Sequence, residues 1–267
     1  MDWDNLNRGQ YNLSEILDTS TMHMNSHEGK AILAMIREGD YAHAGEEESI
    51  RLVLEHVPRN QTGTILDVGC GRGGTADYIR RQGWGPIFGM DIDEASINEA
   101  RQRYPLVRFH IADVERLSEH FKENFGLIFL FNAFYAFPNQ ALALEQLRSV
   151  ADDAAVLAIF DYTDPTGQFE RREPSVARFE YWHPLNLARL PAKLTQTGWS
   201  LDSVVDLSER YLNWYRQLVG KIQSKRAAII EQYGKAWYDY IESDYSDMLH
   251  CIEQGWLGGA IVLAKAN

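Results

Sequence analysis

The feature that most constrains the fold is a glycine-rich turn that directly follows a short apolar segment within residues 64–74. Residues 65–68, Ile-Leu-Asp-Val, are typical of a strand buried on both faces of a parallel sheet. Gly69, Gly71, Gly73 and Gly74 follow. Glycine lets the backbone turn sharply and lie against a ligand because it has no Cβ. The spacing lacks the Gly-x-Gly-x-x-Gly of dinucleotide binders, so the turn predicts a ligand site without naming the ligand.

Three carboxylates accompany the first three predicted strands. Asp67 lies in the first strand, Asp91 ends the second and Asp113 follows the third. An acid at the tip of the second strand of a doubly wound sheet is placed to accept hydrogen bonds from ribose hydroxyls. Asp113 can accept from an exocyclic amine while the backbone amide of Val114 donates to a ring nitrogen, which together would recognise adenine. Each acid could instead cap the following helix, but the trio at this spacing favours ligand binding.

These segments resemble the class I S-adenosylmethionine-dependent methyltransferases. The resemblance rests on residues 66–73, 89–92, 112–114 and 125–128 and spans about residues 46–165. It implies S-adenosylmethionine as the cofactor, with the methionine part at the glycine turn. The expected cofactor-binding residues are Asp67, Gly69, Gly71, Gly73, Asp91, Ile92, Asp113, Val114 and Asn132. The fourth strand of this family usually begins Phe-Asp, whereas Gly126 replaces the acid here.

Strands that alternate with helices predict an α/β fold with a doubly wound, Rossmann-like parallel sheet of seven strands. The predicted strands are residues 65–68, 86–91, 107–111, 127–131, 155–160, 199–205 and 259–264, and the predicted helices of the core are about 46–57, 74–82, 94–103, 116–122 and 140–150. Residues 207–253 are too long for a simple connection, so they predict a helical cap over the carboxyl ends of the strands, where ligands bind in such folds. We therefore divide the chain into an N-terminal helical lid (1–45), a core (46–206 and 254–267) and a cap (207–253).

The segment before the core has a second resemblance. Residues 28–45 are similar to the substrate-covering segment of small-molecule N-methyltransferases of the phosphoethanolamine and glycine/sarcosine types. A Gly-x-x-Tyr-x-Ser-x-Gly-like stretch crosses the cofactor in those enzymes. Here Tyr41 and Gly45 match, and His43 replaces the common serine. The Asp-Tyr pair at 161–162 matches the same group, which implies a small-molecule acceptor.

Differences from that group limit the chemical class of acceptor that we expect. The phosphobase enzymes pair an N-terminal tyrosine with a histidine after the fourth strand as an acid/base latch, and the corresponding positions here hold Asn25 and Tyr135. The arginine expected to grip phosphate falls on Phe179, with Arg178 adjacent. An acidic protein with that arginine displaced is a poor host for a phosphorylated amine. We expect methyl transfer to a small molecule, with an amine nitrogen favoured and with O- or C-methyl transfer, or cofactor binding without turnover, as alternatives.

The cofactor's positive charge already activates the methyl group, so the protein needs mainly to position the acceptor and exclude water. The predicted catalytic residues are Tyr135, Tyr41 and His43, and the predicted substrate contacts are Tyr162, Tyr181, Tyr211 and Trp214. Aromatic rings could cage a methylated ammonium. Aromatic residues at helical spacing are more often core, and packing or surface roles remain open for the catalytic candidates as well.

The composition limits the kinds of partner that we expect the protein to bind. A net charge of −12 disfavours nucleic acid, which requires Lys and Arg to neutralise phosphates. The sequence shows neither a membrane-spanning apolar stretch nor a basic signal-peptide start. Two cysteines offer no disulfide framework, so we expect a cytoplasmic monomer or homodimer that binds a small-molecule substrate. His23 and His27 lie four residues apart without a third ligand at recognisable spacing, so no metal site is expected.

Overall fold

A computed structural model describes residues 22–59 and 63–267. Residues 1–21 of the predicted lid lie outside the described part of the chain. The strands are β1 Thr64–Val68, β2 Ile87–Asp91, β3 Arg108–Ile111, β4 Phe125–Phe131, β5 Ala151–Thr163, β6 Trp199–Asp206 and β7 Gly258–Ala266. All seven predicted strands are therefore present.

The described helices agree with the predicted pattern except after β3 and before β6, where one helix was not predicted. They are α1 His27–Arg37, α2 Glu46–His56, α3 Gly74–Arg81, α4 Glu94–Arg103, α5 Leu117–His120, α6 Gln140–Ser149, α7 Leu190–Gln196, α8 Ser208–Ser224, α9 Arg226–Tyr233 and α10 Lys235–Glu253. The helix predicted at 116–122 is shorter than expected, because a 3₁₀ turn at Val114–Arg116 precedes α5. The side chain of Asp113 caps that turn by accepting a hydrogen bond from the backbone of Glu115.

Within the described residues the seven strands form one sheet in the order β3-β2-β1-β4-β5-β7-β6. Strands β1 to β5 pair in parallel, whereas β7 is antiparallel to both β5 and β6. The expectation of a wholly parallel sheet is wrong for β7. The chain leaves β6 at the carboxyl edge, forms α8 to α10 there and re-enters the sheet from the same edge, so the last strand must run in the opposite direction.

The sheet is buried on both faces, as the apolar strands predict. Every residue of β4 is buried, and successive residues of a strand point to opposite faces. Leu127 and Phe129 therefore pack in one apolar cluster, and Ile128 and Leu130 pack in the other. This rigid layer fixes the carboxyl ends of β1, β2 and β4 beside one another.

Two helical segments cover this edge of the sheet. Helix α1 contacts α8 and α4, while α8 packs on β7 and on α10. Lys225 at the end of α8 donates to the carbonyl of Met35 and pairs with Glu38, which ties the cap to the segment after α1. No helix in residues 22–59 or 63–267 has the length and apolarity needed to cross a bilayer. The division into lid, core and cap stays a prediction.

Candidate active site

A cleft of about 440 Å³ opens at the carboxyl ends of the strands. Its lining includes most of the predicted cofactor residues: Gly69, Gly71, Asp91, Ile92, Asp113, Val114 and Asn132. The remaining two, Asp67 and Gly73, are in the strand and turn that form its floor. Residues far apart in the sequence thus converge here because the parallel strands end at one edge.

The glycine turn needs glycine for both conformation and space. Gly69 has a φ of +73°, and a Cβ there would lie 2.6 Å from the Cβ of Ala133. Gly73 has a φ of +86°, and a Cβ would lie 2.5 Å from the ring of Phe109. Gly71 also has a positive φ, but its Cβ position meets only the flexible side chain of Lys30, at 3.7 Å. The turn is therefore packed against the protein on two sides and presents bare backbone at Gly71.

Asp91 ends β2 and is held by three groups. Its Oδ2 accepts from the backbone amide of Gly71 at 2.8 Å, and its Oδ1 accepts from that of Asp93 at 2.9 Å. The ammonium of Lys30, from α1, lies 3.1 Å and 3.2 Å from the two oxygens. A bound ribose must share this carboxylate with Lys30 or displace its ammonium. Lys30 was not among the predicted site residues. A lysine among the apolar residues of α1 is the sequence signal that indicates a buried, paired cation.

Asp67 is 1% exposed, and its Oδ2 has no hydrogen-bond partner within the described chain. Burial, and then the negative charge of Asp91, raise the pKa of this carboxyl to about 7. An unpaired buried acceptor is costly unless a ligand satisfies it. The position directly before the glycine turn suits a positively charged group of a ligand lying along that turn.

The opposite end of the cleft suits an aromatic base. Asp113 uses one oxygen to accept from the backbone amide of Glu115 at 2.9 Å. Ile92 places an apolar side chain, 71% exposed, at the edge of the cleft. The cleft therefore combines a glycine cradle, the carboxylates of Asp91 and Asp113 and an apolar edge, with the unpaired acid of Asp67 in the strand that leads into it, and these fit S-adenosylmethionine.

Asn132 joins the cleft to the segments that cover it. It follows β4 with a φ of +46°, and its side-chain oxygen accepts from the backbone amide of Ala44 at 3.1 Å. Its side-chain nitrogen donates to the hydroxyl of Tyr211 at 3.1 Å and toward Asp161 at 3.4 Å. One amide thus connects the lid segment, the end of β5 and α8.

Beyond Asn132 lies a group of packed rings that we call the aromatic cluster: Tyr135, Tyr162, Phe179, Trp182, Tyr211, Tyr215 and Tyr245. The ring of Tyr135 is 4.9 Å from that of Tyr162 and 4.4 Å from that of Trp182. The hydroxyl of Tyr135 donates to Asn25 at 3.4 Å, and Asn25 lines the cofactor cleft. The two positions aligned with the acid/base latch do meet, but as an asparagine and a tyrosine.

A glycine in β7 sets the position of α8 over this cluster. The ring of Tyr211 lies directly on Gly259, where a Cβ would be 2.2 Å from two ring carbons. Gly259 pairs with Tyr162 across β5 and β7. Gly259 was predicted only as part of a strand. A glycine within a strand indicates that another group approaches the backbone closely, and this signal was present in the sequence.

The other predicted substrate contacts are dispersed. Tyr181 is 79% exposed and lies outside the aromatic cluster, whereas the adjacent Trp182 is half-buried and belongs to it. Trp214 is buried, packs on Gly45 and donates from its indole nitrogen to Glu48 at 3.0 Å. It therefore fastens α8 to the start of α2.

Two predicted catalytic residues make contacts within the protein. The hydroxyl of Tyr41 donates to Glu47 at 3.1 Å. His43 is buried, with one ring nitrogen 2.9 Å from the hydroxyl of Thr75 and the other 3.1 Å from that of Ser49. Burial lowers the pKa of His43 to about 3, so the ring is neutral. These contacts support the lid segment, and a direct part in the reaction stays a prediction for both residues.

Arg178, next to the position expected to hold phosphate, is engaged elsewhere. Its guanidinium lies 3.3 Å from Asp244 and 2.6 Å from Asp247, both in α10. Phe179 itself is buried in the aromatic cluster. No group of three or more His, Cys, Asp or Glu side chains arranged to hold a metal occurs among residues 22–59 and 63–267.

Comparisons with known proteins agree with this geometry. A family model described as a methyltransferase domain matches residues 59–235. The trans-aconitate 2-methyltransferase of Azoarcus sp. strain BH72 is 27% identical over 187 residues, which cover 68% of this chain and 70% of the relative. A putative sarcosine dimethylglycine methyltransferase from Galdieria sulphuraria has a TM-score of 0.73 at 14% identity, covering 86% of each chain.

Another solved structure has a similar fold. The phosphoethanolamine N-methyltransferase 2 of Haemonchus contortus, in complex with phosphomonomethylethanolamine and S-adenosylhomocysteine, has a TM-score of 0.76 at 14% identity. The alignment covers 93% of this chain and 61% of that enzyme. The family match extends over more than half of the 267 residues. The chain therefore belongs to the methyltransferase-domain family and is an S-adenosylmethionine-dependent small-molecule methyltransferase of the class I fold.

Proposed function

We propose that the acceptor is a small carboxylic acid, methylated on a carboxylate oxygen. The observation that carries the proposal is the chemistry of the groups between the cofactor cleft and the aromatic cluster. Asn25 and Tyr135 are neutral, and burial raises the pKa of the Tyr135 hydroxyl well above its usual range. Asp161 already accepts from the backbone amides of Tyr135 at 3.1 Å and Tyr162 at 2.7 Å. These groups can orient an acceptor but are poorly placed to remove a proton from one.

A carboxylate acceptor needs no base because it is ionised at neutral pH. When bound, S-adenosylmethionine supplies a methyl on a positively charged sulfur, and its carbon–sulfur bond breaks as an oxygen lone pair forms the ester bond. The electron pair passes to sulfur, and no proton moves. Trans-aconitate, for which the Azoarcus relative is named, is an acid of this kind.

In this proposal the residues of the cleft act by positioning. Asp67 holds the ammonium of the methionine part, Asp91 the ribose hydroxyls, and Asp113 with Val114 the adenine. The lid is tied to the glycine turn by Arg72, whose Nε lies 2.9 Å from Asp40. Holding the reacting atoms in near-attack geometry in a closed site can supply about 7–11 kcal/mol of the barrier.

An amine nitrogen, the acceptor favoured by the sequence analysis, is the second candidate. The observation in its favour is the tyrosine-rich wall of Tyr135, Tyr162 and Tyr211, because a cation over aromatic rings gains about 0.5–2 kcal/mol. An amine must still lose its proton before it attacks, and this requirement separates the two candidates.

The test is to measure S-adenosylhomocysteine formation with matched panels of carboxylic acids and amines. We expect turnover with acids and a product whose methyl is released as methanol by mild hydroxide, since esters are labile and N-methyl groups are not. Asp91→Asn should abolish turnover, whereas Asp202→Asn, which breaks only the pair with Lys265 between β6 and β7, should not. Turnover with amines alone would refute the carboxylate proposal. Cofactor binding without any turnover would indicate a non-catalytic protein.

We also propose that the protein acts in a reducing, cytoplasmic setting as a monomer or homodimer, without nucleic acid. Both cysteines, Cys70 and Cys251, are buried free thiols, which supports a reducing environment. The net charge of −12 supports the absence of a polyphosphate partner.

A further inference from the structure

Arg37, the last residue of α1, is a buried cation with unused donors. Its side chain is 2% exposed. One terminal nitrogen, Nη1, lies 3.2 Å from Glu46, while Nε and Nη2 have no hydrogen-bond acceptor in residues 22–59 and 63–267. A buried guanidinium is ordinarily fully paired, because leaving its N–H groups without acceptors costs free energy.

The groups around Arg37 are mainly tyrosine hydroxyls, which can donate as well as accept hydrogen bonds. The guanidinium faces three tyrosines of the aromatic cluster, Tyr162, Tyr215 and Tyr245. The hydroxyls of Tyr162 and Tyr215 are hydrogen-bonded to each other. Such a pair uses one of its two protons, so the second remains available to donate elsewhere. The described groups therefore place several N–H and O–H donors around one point, and the acceptors beside them are neutral hydroxyl oxygens, that of Tyr245 among them, rather than a second carboxylate.

The local charge also favours an anion. Glu46 is shared by Arg37 and by Lys221, whose ammonium lies 3.4 Å from the same carboxylate oxygen. Asp244, the acid near Tyr245, is paired with Arg178. One carboxylate is therefore shared by two cations, so Glu46 compensates the charge of Arg37 only in part.

Arg37 and the cofactor cleft are joined by one helix face. Lys30 lines the cleft and lies seven residues before Arg37 in α1. Seven residues are close to two helical turns, so the two side chains point to the same side, about 10 Å apart along the axis. Tyr162 also packs against Tyr135, whose hydroxyl reaches Asn25 at the cleft.

We propose that Arg37, with the hydroxyls of Tyr162, Tyr215 and Tyr245, binds a second carboxylate of the acceptor, one that is not methylated. The substrate class is then a di- or tricarboxylate. This inference rests on the proposed function only in taking the acceptor to be a carboxylic acid. The Nε–Nη2 edge of the planar guanidinium, which Glu46 leaves unoccupied, is suited to bidentate recognition of a carboxylate.

The test is a calorimetric titration of the protein saturated with S-adenosylhomocysteine. The probes are three dicarboxylate-containing acids of different shape, trans-aconitate, succinate and isophthalate, each compared with its neutral methyl ester. We expect at least one acid to bind and its ester not to bind. Arg37→Gln should weaken the binding of that acid by about 10- to 100-fold, since charge-assisted hydrogen bonds contribute about 1.5–3 kcal/mol. Lys221→Gln is the matched control, because it removes a charge from the same Glu46 outside the aromatic cluster.

Retained affinity for S-adenosylhomocysteine in Arg37→Gln shows that the variant is folded. Equal acid binding by the parent and Arg37→Gln, or no acid bound in preference to its ester, would overturn the inference. Arg37→Lys keeps the charge and loses the fork, and should give an intermediate affinity. Methyl ester formation from monocarboxylic acids is measured separately, so the proposed function can hold while the Arg37 site fails.

Discussion

The pH dependence of cofactor binding is the most direct test of whether the cleft holds the cofactor as proposed. It depends on Asp67, whose Oδ2 has no hydrogen-bond partner within the described chain. Burial raises the pKa of Asp67 to about 7, because the charged form is disfavoured away from water. In the proposed binding mode, a cofactor ammonium lies beside Oδ2 and stabilises the charged form. Binding therefore requires an ionised Asp67, and affinity should rise as pH increases and level off above about pH 7.

The size of the effect follows from that pKa. At pH 5.5, about 3% of a carboxyl with a pKa near 7 is ionised, so the affinity should be about 30-fold lower than at pH 8. This ratio corresponds to about 2 kcal/mol of binding free energy. Below the pKa the dissociation constant should increase about tenfold for each pH unit.

The assay is isothermal titration of S-adenosylhomocysteine between about pH 5.5 and 8, since this product carries the same ammonium as the cofactor. Asp67→Asn should bind more weakly at pH 8 and show no rise in affinity with pH. Asp161, whose pKa burial also raises to about 7, is retained in both proteins and controls for its own titration. An affinity that is flat over this range in the parent, or a rise that persists in Asp67→Asn, would refute the assignment.

Three further outcomes are expected. Gly259→Ala places a Cβ 2.2 Å from the ring of Tyr211 and should destabilise the protein by about 1–3 kcal/mol, measured by urea denaturation; unchanged stability would contradict the packing of α8 on β7. Arg72→Leu removes a buried partner of Asp40 and should lower stability by about 3 kcal/mol, detected by thermal melting with Arg81→Leu, half-exposed, as the control. Tyr135→Phe should keep kcat within about tenfold without changing its pH profile, because a carboxylate acceptor needs no base; a new pH limb would argue for acid/base chemistry.

The alternation of apolar runs and amphipathic segments was sufficient to predict seven strands, the helical segments of the core and the edge at which ligands bind. These features depend on local spacing, which the chain displays directly. The glycine turn and its acids could also be predicted from the sequence, because a cofactor of fixed shape requires particular residue types at the ends of consecutive strands. The direction of β7 was not predictable in this way, since a strand's pattern of burial is the same whichever way it runs.

The contacts between side chains could be identified only from the tertiary structure. Lys30 and Arg37 read as ordinary charges on a helix, and only the packing of α1 against the sheet and α8 shows both to be buried. The same packing placed Tyr211 on Gly259, left Tyr181 in solvent and turned both nitrogens of His43 toward neighbouring residues. The sequence by itself determined the strands of the sheet and the cofactor class, because both depend on motifs whose residues are contiguous in the chain. The tertiary structure alone decided which groups line the cleft and form the aromatic cluster, because that choice depends on contacts between residues far apart in the chain.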